Sequence, residues 1–113
     1  MSYDRIGVIG AMDSELAALI AALTQPAQET VQGLVFHTGR LGAREVVLVR
    51  CGIGKVSAAR CTQVLIDRFA PGAVINTGIA GGLASGLAVG DIVVADGLVQ
   101  HDFDAAPIGF VRG

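Results

Sequence analysis

The chain of 113 residues has little charge, few cysteines and no basic stretch, and each shortage argues against a class of protein. Charged residues make up only 16% of the sequence and hydrophobic residues 52%, so the chain can form a packed core and does not have the composition of a disordered tail. Its 8 lysines and arginines are scattered and its formal net charge is −2. Nucleic acid is therefore not expected as a partner, because no basic surface would neutralise a phosphate backbone.

The two cysteines, Cys51 and Cys61, show neither CxxC spacing nor histidines at ligand spacing. This argues against a disulfide scaffold and against a zinc site. Cysteine outside such patterns usually behaves as a small buried hydrophobic residue. We therefore predict two free, buried thiols.

The sequence also lacks an uninterrupted hydrophobic run. Residues 16–23 are apolar, but Asp13 and Glu15 lie directly before them and no basic segment precedes them, so a signal peptide is not predicted. Residues 72–99 are interrupted by acids such as Asp91 and contain many glycines, which leaves them short of the roughly 20 continuous apolar residues of a membrane-spanning helix. We expect a cytoplasmic protein that does not enter the membrane.

The first third of the chain predicts a strand, a helix and a hairpin. The apolar run 5–10 indicates a strand, and the leucines and isoleucine that follow at helical spacing indicate a helix with Asp13 or Ser14 as its cap. Pro26 ends that helical pattern. Residues 34–41 and 45–50 then predict two strands joined by a tight turn, and the continuous apolar run 46–49 predicts burial on both faces of a sheet.

A second helix and two further strands are predicted beyond Gly54. The apolar face of the helix ends before Pro71 and comprises Ala58, Cys61, Thr62, Leu65 and Phe69. Residues 73–76 predict a third buried strand, and residues 91–95 predict another, led in by Gly90.

This alternation of strands and helices predicts one α/β domain over residues 1–113, with a central mixed, largely parallel sheet. Parallel sheets need helices on both faces, and only two helices are evident in the sequence. We therefore expect an incomplete α/β unit.

Glu15 is the strongest candidate for chemistry. It lies in the first turn of a helix that begins directly after the carboxyl end of a strand, where open α/β sheets usually bind their ligands. The same position also suits a solvated acid stabilised by the helix dipole, so position alone leaves both interpretations open. The glycine-rich turn at 77–82 could bring backbone N–H groups close to a small molecule, or it could be a plain tight turn.

Other patterns fail as motifs. Residues 52–55 (GIGK) lack the length of a phosphate-binding loop, and Val56 stands where that loop needs serine or threonine. Residues 10–12 do not form the GxGxxG of a dinucleotide site. The side chains of His101, Asp102 and Asp104 could ligate a metal, but with no further cluster they favour a polar loop. We predict no metal site.

Five blocks of sequence, in order and at matching separations, resemble the methylthioadenosine/adenosylhomocysteine nucleosidases. They are residues 9–15 (IGAMDSE), 51–56 (CGIGKV), 76–82 (NTGIAGG), 89–94 (VGDIVV) and 101–104 (HDFD). The resemblance covers essentially all 113 residues, but only about the first half of that family's chain.

The resemblance implies a three-layer α/β/α sandwich, the fold shared with the nucleoside phosphorylases. It also implies hydrolysis of the N-glycosidic bond of 5′-methylthioadenosine and S-adenosylhomocysteine, which releases adenine in methionine salvage. The expected partner is a small nucleoside substrate, without cofactor or metal. The family's active site is completed across a two-fold interface, so a homodimer is implied as well.

By the same resemblance, Glu15 matches the catalytic acid/base that positions and deprotonates the attacking water. The implied substrate-binding positions are Met12, Ile53, Ala80, Gly81, Ile108 and Phe110. The first two match apolar contacts to the ribose and its thio substituent, and the next two match a loop beside the base and sugar. The last two match side chains lent to the pocket of the neighbouring subunit.

Three alternatives stay open: a related hydrolase acting on another nucleoside such as futalosine, a phosphorylase, and a non-catalytic half-domain. Phosphorylase relatives hold phosphate with an arginine near the first loop, and residues 10–16 contain none, which favours water as the nucleophile. The family's ribose-binding and purine-protonating residues lie in its other half. This chain alone is therefore expected to be inactive.

Overall fold

The computed structural model of the chain describes residues 3–112. Contacts within the chain divide it into two compact units, the first ending at Ala80 and the second beginning at Gly81. The α-helices and strands of the described residues all belong to the first unit, whereas the second unit consists of turns and one short 3₁₀ helix.

The first unit is a five-stranded sheet with two helices. Its elements in chain order are β1 (Arg5–Gly10), α1 (Asp13–Ala21), β2 (Thr24–Val31), β3 (Leu34–Leu41), β4 (Arg44–Arg50), α2 (Lys55–Phe69) and β5 (Ala73–Thr77). The strand order is β2-β3-β4-β1-β5. The β1 strand pairs in parallel with both β4 and β5, whereas β3 pairs antiparallel with both β2 and β4. The predicted mixed sheet is confirmed.

The two helices cover opposite faces of this sheet. Val8 of β1 lies beside Leu48 of β4, and both belong to the core cluster that contains Leu16 of α1. The next pair along the strands, Ile9 and Val49, belongs to the cluster that contains the buried residues of α2. Because successive side chains of a strand point to opposite faces, the unit has three layers, α/β/α. The run 46–49 is buried throughout, as the sequence predicts.

Gly7 sets the close approach of α2 to β1. A Cβ atom at this position would lie 2.6 Å from Cδ2 of Leu65, which is too short for any real contact. The helix buries Cys61, Leu65 and Phe69 of its predicted face, and the Phe69 ring lies 4.8 Å from that of Phe36 on β3. It ends at Ala70 in the left-handed conformation, directly before Pro71.

The start of α1 lies one or two residues before the predicted caps. Met12, in an extended conformation, is the N-cap, and Asp13 and Ser14 are the first helical residues instead of the cap. The physical reason is that the carboxylate of Glu15 accepts a hydrogen bond from the backbone N–H of Met12. This bond, from the N–H of the N-cap to an acid at the third helical position, is one of the two bonds of a capping box.

The β2 strand is not predicted from the sequence. Its composition is polar and includes Pro26, which indicates a break in a helix but does not suggest a strand. The structure accommodates the proline because β2 is an edge strand, and the register between β2 and β3 shifts between Thr24 and Ala27. Proline is tolerated at edges and bulges, where its missing N–H breaks no ladder hydrogen bond.

The strand predicted at 73–76 exists as β5, but the prediction that it is buried is wrong. Val74 is 37% exposed and Ile75 is 50% exposed. In the described part of the chain β5 is an edge strand that pairs only with β1, so the side of β5 away from β1 is uncovered.

The strand predicted at 91–95 is wrong: these residues form no strand, and Ile92, Val93 and Val94 are largely exposed. An apolar β-type sequence becomes a strand only when a neighbouring strand takes its backbone hydrogen bonds. No such ladder exists here within residues 3–112. The segment starts instead in a turn, where Oδ2 of Asp91 accepts a hydrogen bond of 2.8 Å from the N–H of Ala88.

The rest of the second unit is also built from local hydrogen bonds. Oδ1 of Asp104 accepts a bond of 3.0 Å from the N–H of Ala106, at the start of the 3₁₀ helix Ala106–Ile108. Ala105 is the buried residue of this turn. Among all described residues, no helix is both long enough and apolar enough to cross a membrane.

Candidate active site

The carboxyl end of β1 is the point where the chain changes direction within the sheet. From β1 the chain passes through α1 to the strands on one side, and it returns through α2 on the opposite face to β5 on the other side. The carboxyl ends of β4, β1 and β5 therefore meet at one edge. In open α/β sheets the crevice at such a reversal is where ligands bind.

Glu15 lies at this edge, half-buried, in the first turn of α1. Its Oε2 accepts a hydrogen bond of 3.0 Å from the N–H of Met12, and its own N–H donates one of 3.2 Å to the carbonyl of Met12. The two bonds fix the side chain relative to the backbone. The negative carboxylate is also stabilised by the positive end of the helix dipole.

The other carboxylate oxygen of Glu15 faces the backbone just beyond β5. A Cβ atom at Gly78 would lie 3.2 Å from Oε1 of Glu15. Glycine at position 78 therefore leaves room for the carboxylate of Glu15, and any larger residue there would crowd that carboxylate.

The charge of this carboxylate also acts on the thiol of Cys51, just after β4. The pKa of Cys51 is raised mainly by burial of the thiol. A backbone hydrogen bond partly offsets this rise, and the charge of Glu15 adds to it. Burial likewise raises the pKa of Cys61 to about 11, with a smaller contribution from Cys51. Both cysteines are free and buried, which confirms the prediction, and both stay protonated at neutral pH.

Two further predicted site residues lie at the same edge of the sheet. Ile53 is exposed at the tip of the turn from β4 to α2, between Gly52 and Gly54, which both have positive φ. Ala80 follows β5 and is exposed at the end of the first unit. Met12 and Glu15 are in direct contact, and Ile53 and Ala80 extend from the neighbouring strand ends.

The remaining predicted residues belong to the second unit. Gly81 is its first residue, and Ile108 and Phe110 are both exposed around the 3₁₀ helix. The N–H of Phe110 donates a hydrogen bond of 3.3 Å to the carbonyl of Ala105, which fixes the turn that carries it. The substrate-binding roles of all these residues, and the catalytic role of Glu15, stay predictions.

Three features at this edge of the sheet are not predicted from the sequence: Gly78, Cys51 and the ion pair between Arg50 and Asp13. The pair joins Nε of Arg50 to Oδ1 of Asp13 at 3.2 Å, beside the start of α1. The order of parallel strands would have pointed to all three positions, because each lies at or just after a strand end next to β1. That order depends on pairing between strands that are distant in the chain, which the local sequence pattern does not specify.

Two other features carry no comparable chemistry. Within residues 3–112, no three His, Cys, Asp or Glu side chains come together as a possible metal site. A cavity of about 360 Å³ lies at the opposite, amino end of β1 and β4. Its charged groups neutralise one another, since Arg5 pairs with Glu45 at 2.9 Å and Arg68 with Glu29 at 2.6 Å.

The chain is similar in sequence and in structure to several nucleosidases and to a related hydrolase. The 5′-methylthioadenosine/S-adenosylhomocysteine nucleosidase of Shewanella putrefaciens is 48% identical over 109 residues, which are 96% of this chain and 47% of that protein. The crystal structure of the S-adenosylhomocysteine nucleosidase of Streptococcus pyogenes in complex with 5-methylthiotubericidin matches with a TM-score of 0.94 at 45% identity, over 100% of this chain and 48% of that one. A futalosine hydrolase mutant of Helicobacter pylori matches with a TM-score of 0.88 at 32% identity, over 97% and 48% of the two chains.

The chain thus spans about half the length of the curated relatives it matches. The match to the phosphorylase superfamily covers residues 5–113 and includes every strand and both α-helices described above. The chain belongs to the phosphorylase superfamily.

Proposed function

We propose that this chain supplies the general base of an enzyme that hydrolyses the N-glycosidic bond of 5′-methylthioadenosine and S-adenosylhomocysteine to release adenine. The observation that carries the proposal is the fixed, half-buried carboxylate of Glu15 at the reversal point of the sheet. The names and bound ligand of the relatives reported above support this choice of substrate.

Cleavage of an N-glycosidic bond develops positive charge on the sugar and negative charge on the departing purine. In the proposed reaction Glu15 accepts a proton from the attacking water, and its negative charge stabilises the cationic sugar. The bond from the N–H of Met12 holds Oε2, which leaves Oε1, beside Gly78, as the oxygen directed toward the water. Met12 and Ile53 supply the apolar contacts to the ribose and its thio substituent.

Water is the proposed nucleophile instead of phosphate. Residues 10–16 contain no arginine, and the guanidinium of the nearby Arg50 is paired with Asp13. An oxyanion as large and as charged as phosphate needs fixed cationic donors. The negative charge of the Glu15 carboxylate would itself repel such an ion.

The test is an adenine-release assay on a chimera in which this chain replaces the matching half of the Shewanella putrefaciens nucleosidase. We expect release of adenine from both proposed substrates, at a rate that does not depend on added phosphate. Phosphate-dependent turnover would indicate a phosphorylase. Release of the purine base of futalosine alone, followed in a parallel assay, would indicate the related hydrolase. A folded chimera without any turnover would indicate a non-catalytic domain and refute the proposal. The 113-residue chain assayed alone is expected to release no adenine.

We further propose that the enzyme is a cytoplasmic homodimer in which Ile108 and Phe110 complete the neighbour's substrate pocket. The exposure of both side chains on a fixed turn supports this, because large apolar groups on a soluble surface commonly mark an interface. Sedimentation analysis of the chimera tests the dimer, and fractionation of cells tests the compartment.

A further inference from the structure

Gly10, the last residue of β1, lies against the first turn of α1. A Cβ atom at this position would lie 2.9 Å from Cγ of Leu16 and 3.4 Å from Cβ of Glu15. The backbone of Gly10 belongs to a strand and is not among those with positive φ, so its conformation would suit any residue. Position 10 therefore requires the absence of a side chain, because Leu16 occupies the space.

The end of β1 is held in place by both neighbouring strands. Gly10 pairs with Arg50 of β4 and with Thr77 of β5, and its carbonyl accepts a hydrogen bond of 2.8 Å from the N–H of Cys51. A strand paired on both sides cannot shift without breaking its ladder hydrogen bonds. A collision at Gly10 must therefore be relieved on the side of α1.

Leu16 cannot relieve such a collision by itself. Its side chain is 1% exposed and packs in the core cluster with Val8, Leu23 and Leu48. The colliding atom is Cγ, the branch point of the side chain, so rotation of the terminal methyl groups would leave it in place. Close-packed cores transmit strain of this kind to the backbone. The first turn of α1 would move away from the sheet, and Glu15, the preceding residue, would move with it.

We propose that Gly10 is a positioning residue for the general base. It lets Leu16 pack directly against β1, and this packing sets the place of the Glu15 carboxylate. The 3.4 Å to Cβ of Glu15 is an ordinary van der Waals distance, so Gly10 acts through Leu16 and not on the base directly. Oε1 of Glu15 lies against Gly78, so a shift of α1 changes the distance between the carboxylate and the end of β5. The inference rests on the proposed function, because it assigns the residue that places the proposed base.

The experiment compares Gly10→Ala with Gly7→Ala in the chimera described above. Gly7 is the matched control, because it lies on the same strand and a Cβ there would also collide with a leucine, Leu65 of α2, but on the opposite face of the sheet. Rates of adenine release are corrected for the folded fraction, measured by circular dichroism. We expect kcat to fall about tenfold or more in Gly10→Ala and to stay within about twofold of the wild type in Gly7→Ala.

Leu16→Ala identifies the route by which Gly10 acts. Without the atoms beyond Cβ at position 16, a methyl group at position 10 meets Cβ of Glu15 at an ordinary 3.4 Å. We therefore expect the double variant Gly10→Ala/Leu16→Ala to have the kcat of Leu16→Ala alone. The same Leu16→Ala change should not restore Gly78→Ala, because the collision there is with the carboxylate itself. The comparison of the double variant with Leu16→Ala also serves if Gly10→Ala alone does not fold.

Crystal structures of the Gly10→Ala and Gly7→Ala chimeras provide a measurement that needs no activity. We expect the Glu15 carboxylate to be displaced relative to Gly78 in the first variant and unmoved in the second. A folded wild-type chimera that releases no adenine refutes the proposed function, and the crystal structures then decide this proposal alone. The proposal is overturned if Gly10→Ala and Gly7→Ala have equal kcat, if the double variant is slower than Leu16→Ala, or if the carboxylate keeps its place in Gly10→Ala.

Discussion

Glu15 has two tasks at the level of a single residue, since the same carboxylate begins α1 and is the proposed base. The Glu15→Gln change separates them, because the amide oxygen can still accept the hydrogen bond from Met12 but cannot take up a proton. In the chimera we expect kcat to fall by ~10²–10⁴-fold, the usual contribution of general acid/base catalysis, with unchanged circular dichroism. Near-normal adenine release by a folded Gln variant would remove Glu15 from the role.

Gly78 provides a second test of the same carboxylate. In Gly78→Ala the added Cβ would lie 3.2 Å from Oε1 of Glu15, so the carboxylate must shift by a few tenths of an ångström. We expect a drop in kcat of about tenfold or more, since small displacements of a reacting group are costly. Gly97→Ala is the control, because a Cβ there would meet nothing within 4 Å. Equal kcat values for the two variants would show that the position of the carboxylate does not matter.

The thiol of Cys61 predicts how stability depends on pH. Its pKa rises from 9.0 to about 11 in the folded chain, so between these values the unfolded chain loses a proton that the folded chain keeps. The stabilisation is complete below pH 9.0 and is lost as the pH rises through about 11. Urea unfolding at a series of pH values should show a steeper decline for the wild type than for Cys61→Ala. Parallel curves would contradict the assignment.

At the level of elements, hydrophobic periodicity predicted β1, both helices and the β3–β4 hairpin, because in each of them one face or both are covered. It failed for β2, where tertiary pairing with β3 overrides a polar sequence that includes Pro26. It also failed for 91–95, where an apolar sequence has no strand to pair with. Strand formation depends on neighbours that are distant in sequence, and local pattern does not specify them.

The contact between α2 and β1 can be tested through Gly7. Gly7→Ala places a Cβ 2.6 Å from Cδ2 of Leu65, and such overpacking typically costs about 1–3 kcal/mol. Leu65→Ala alone should cost about 2–5 kcal/mol, because it leaves a cavity. The double variant should cost less than the sum, since alanine at 65 removes the colliding atoms. Strictly additive free energies of unfolding, measured with urea, would show that the two residues do not touch.

At the level of the whole molecule, the sequence predicts best the part of the site whose residues are close together in the chain. Met12 and Glu15 are three residues apart, and the turn between them explains their contact. The neighbours from β4 and β5, Cys51 and Gly78, are assembled by the order of the strands. The sequence blocks contain both residues, but nothing in their spacing places them beside Glu15.

The proposed dimer gives a prediction at this scale. Phe110→Asp places a charge on an exposed apolar position. In a two-fold interface that charge would disturb the contact twice, once on each subunit. In the chimera we expect weaker dimerisation, or a KM that rises more for 5′-methylthioadenosine than for adenosine. Sedimentation and kinetics on the two substrates provide the measurement. An unchanged dimer with unchanged substrate preference would rule out a cross-subunit role for Phe110.

The central place of β1 has a consequence for how the molecule folds. This strand is synthesised before both of its partners, β4 and β5, which come later in the first unit. Until β4 and β5 have been synthesised, the apolar strand β1 has no partner strand. The segment between β1 and β4 can meanwhile form only the β2–β3 pairing. Closing such long loops slows folding and leaves the early strand open to aggregation. We therefore expect the surroundings of Glu15 to form in the last steps of folding, after β1 has paired with both β4 and β5.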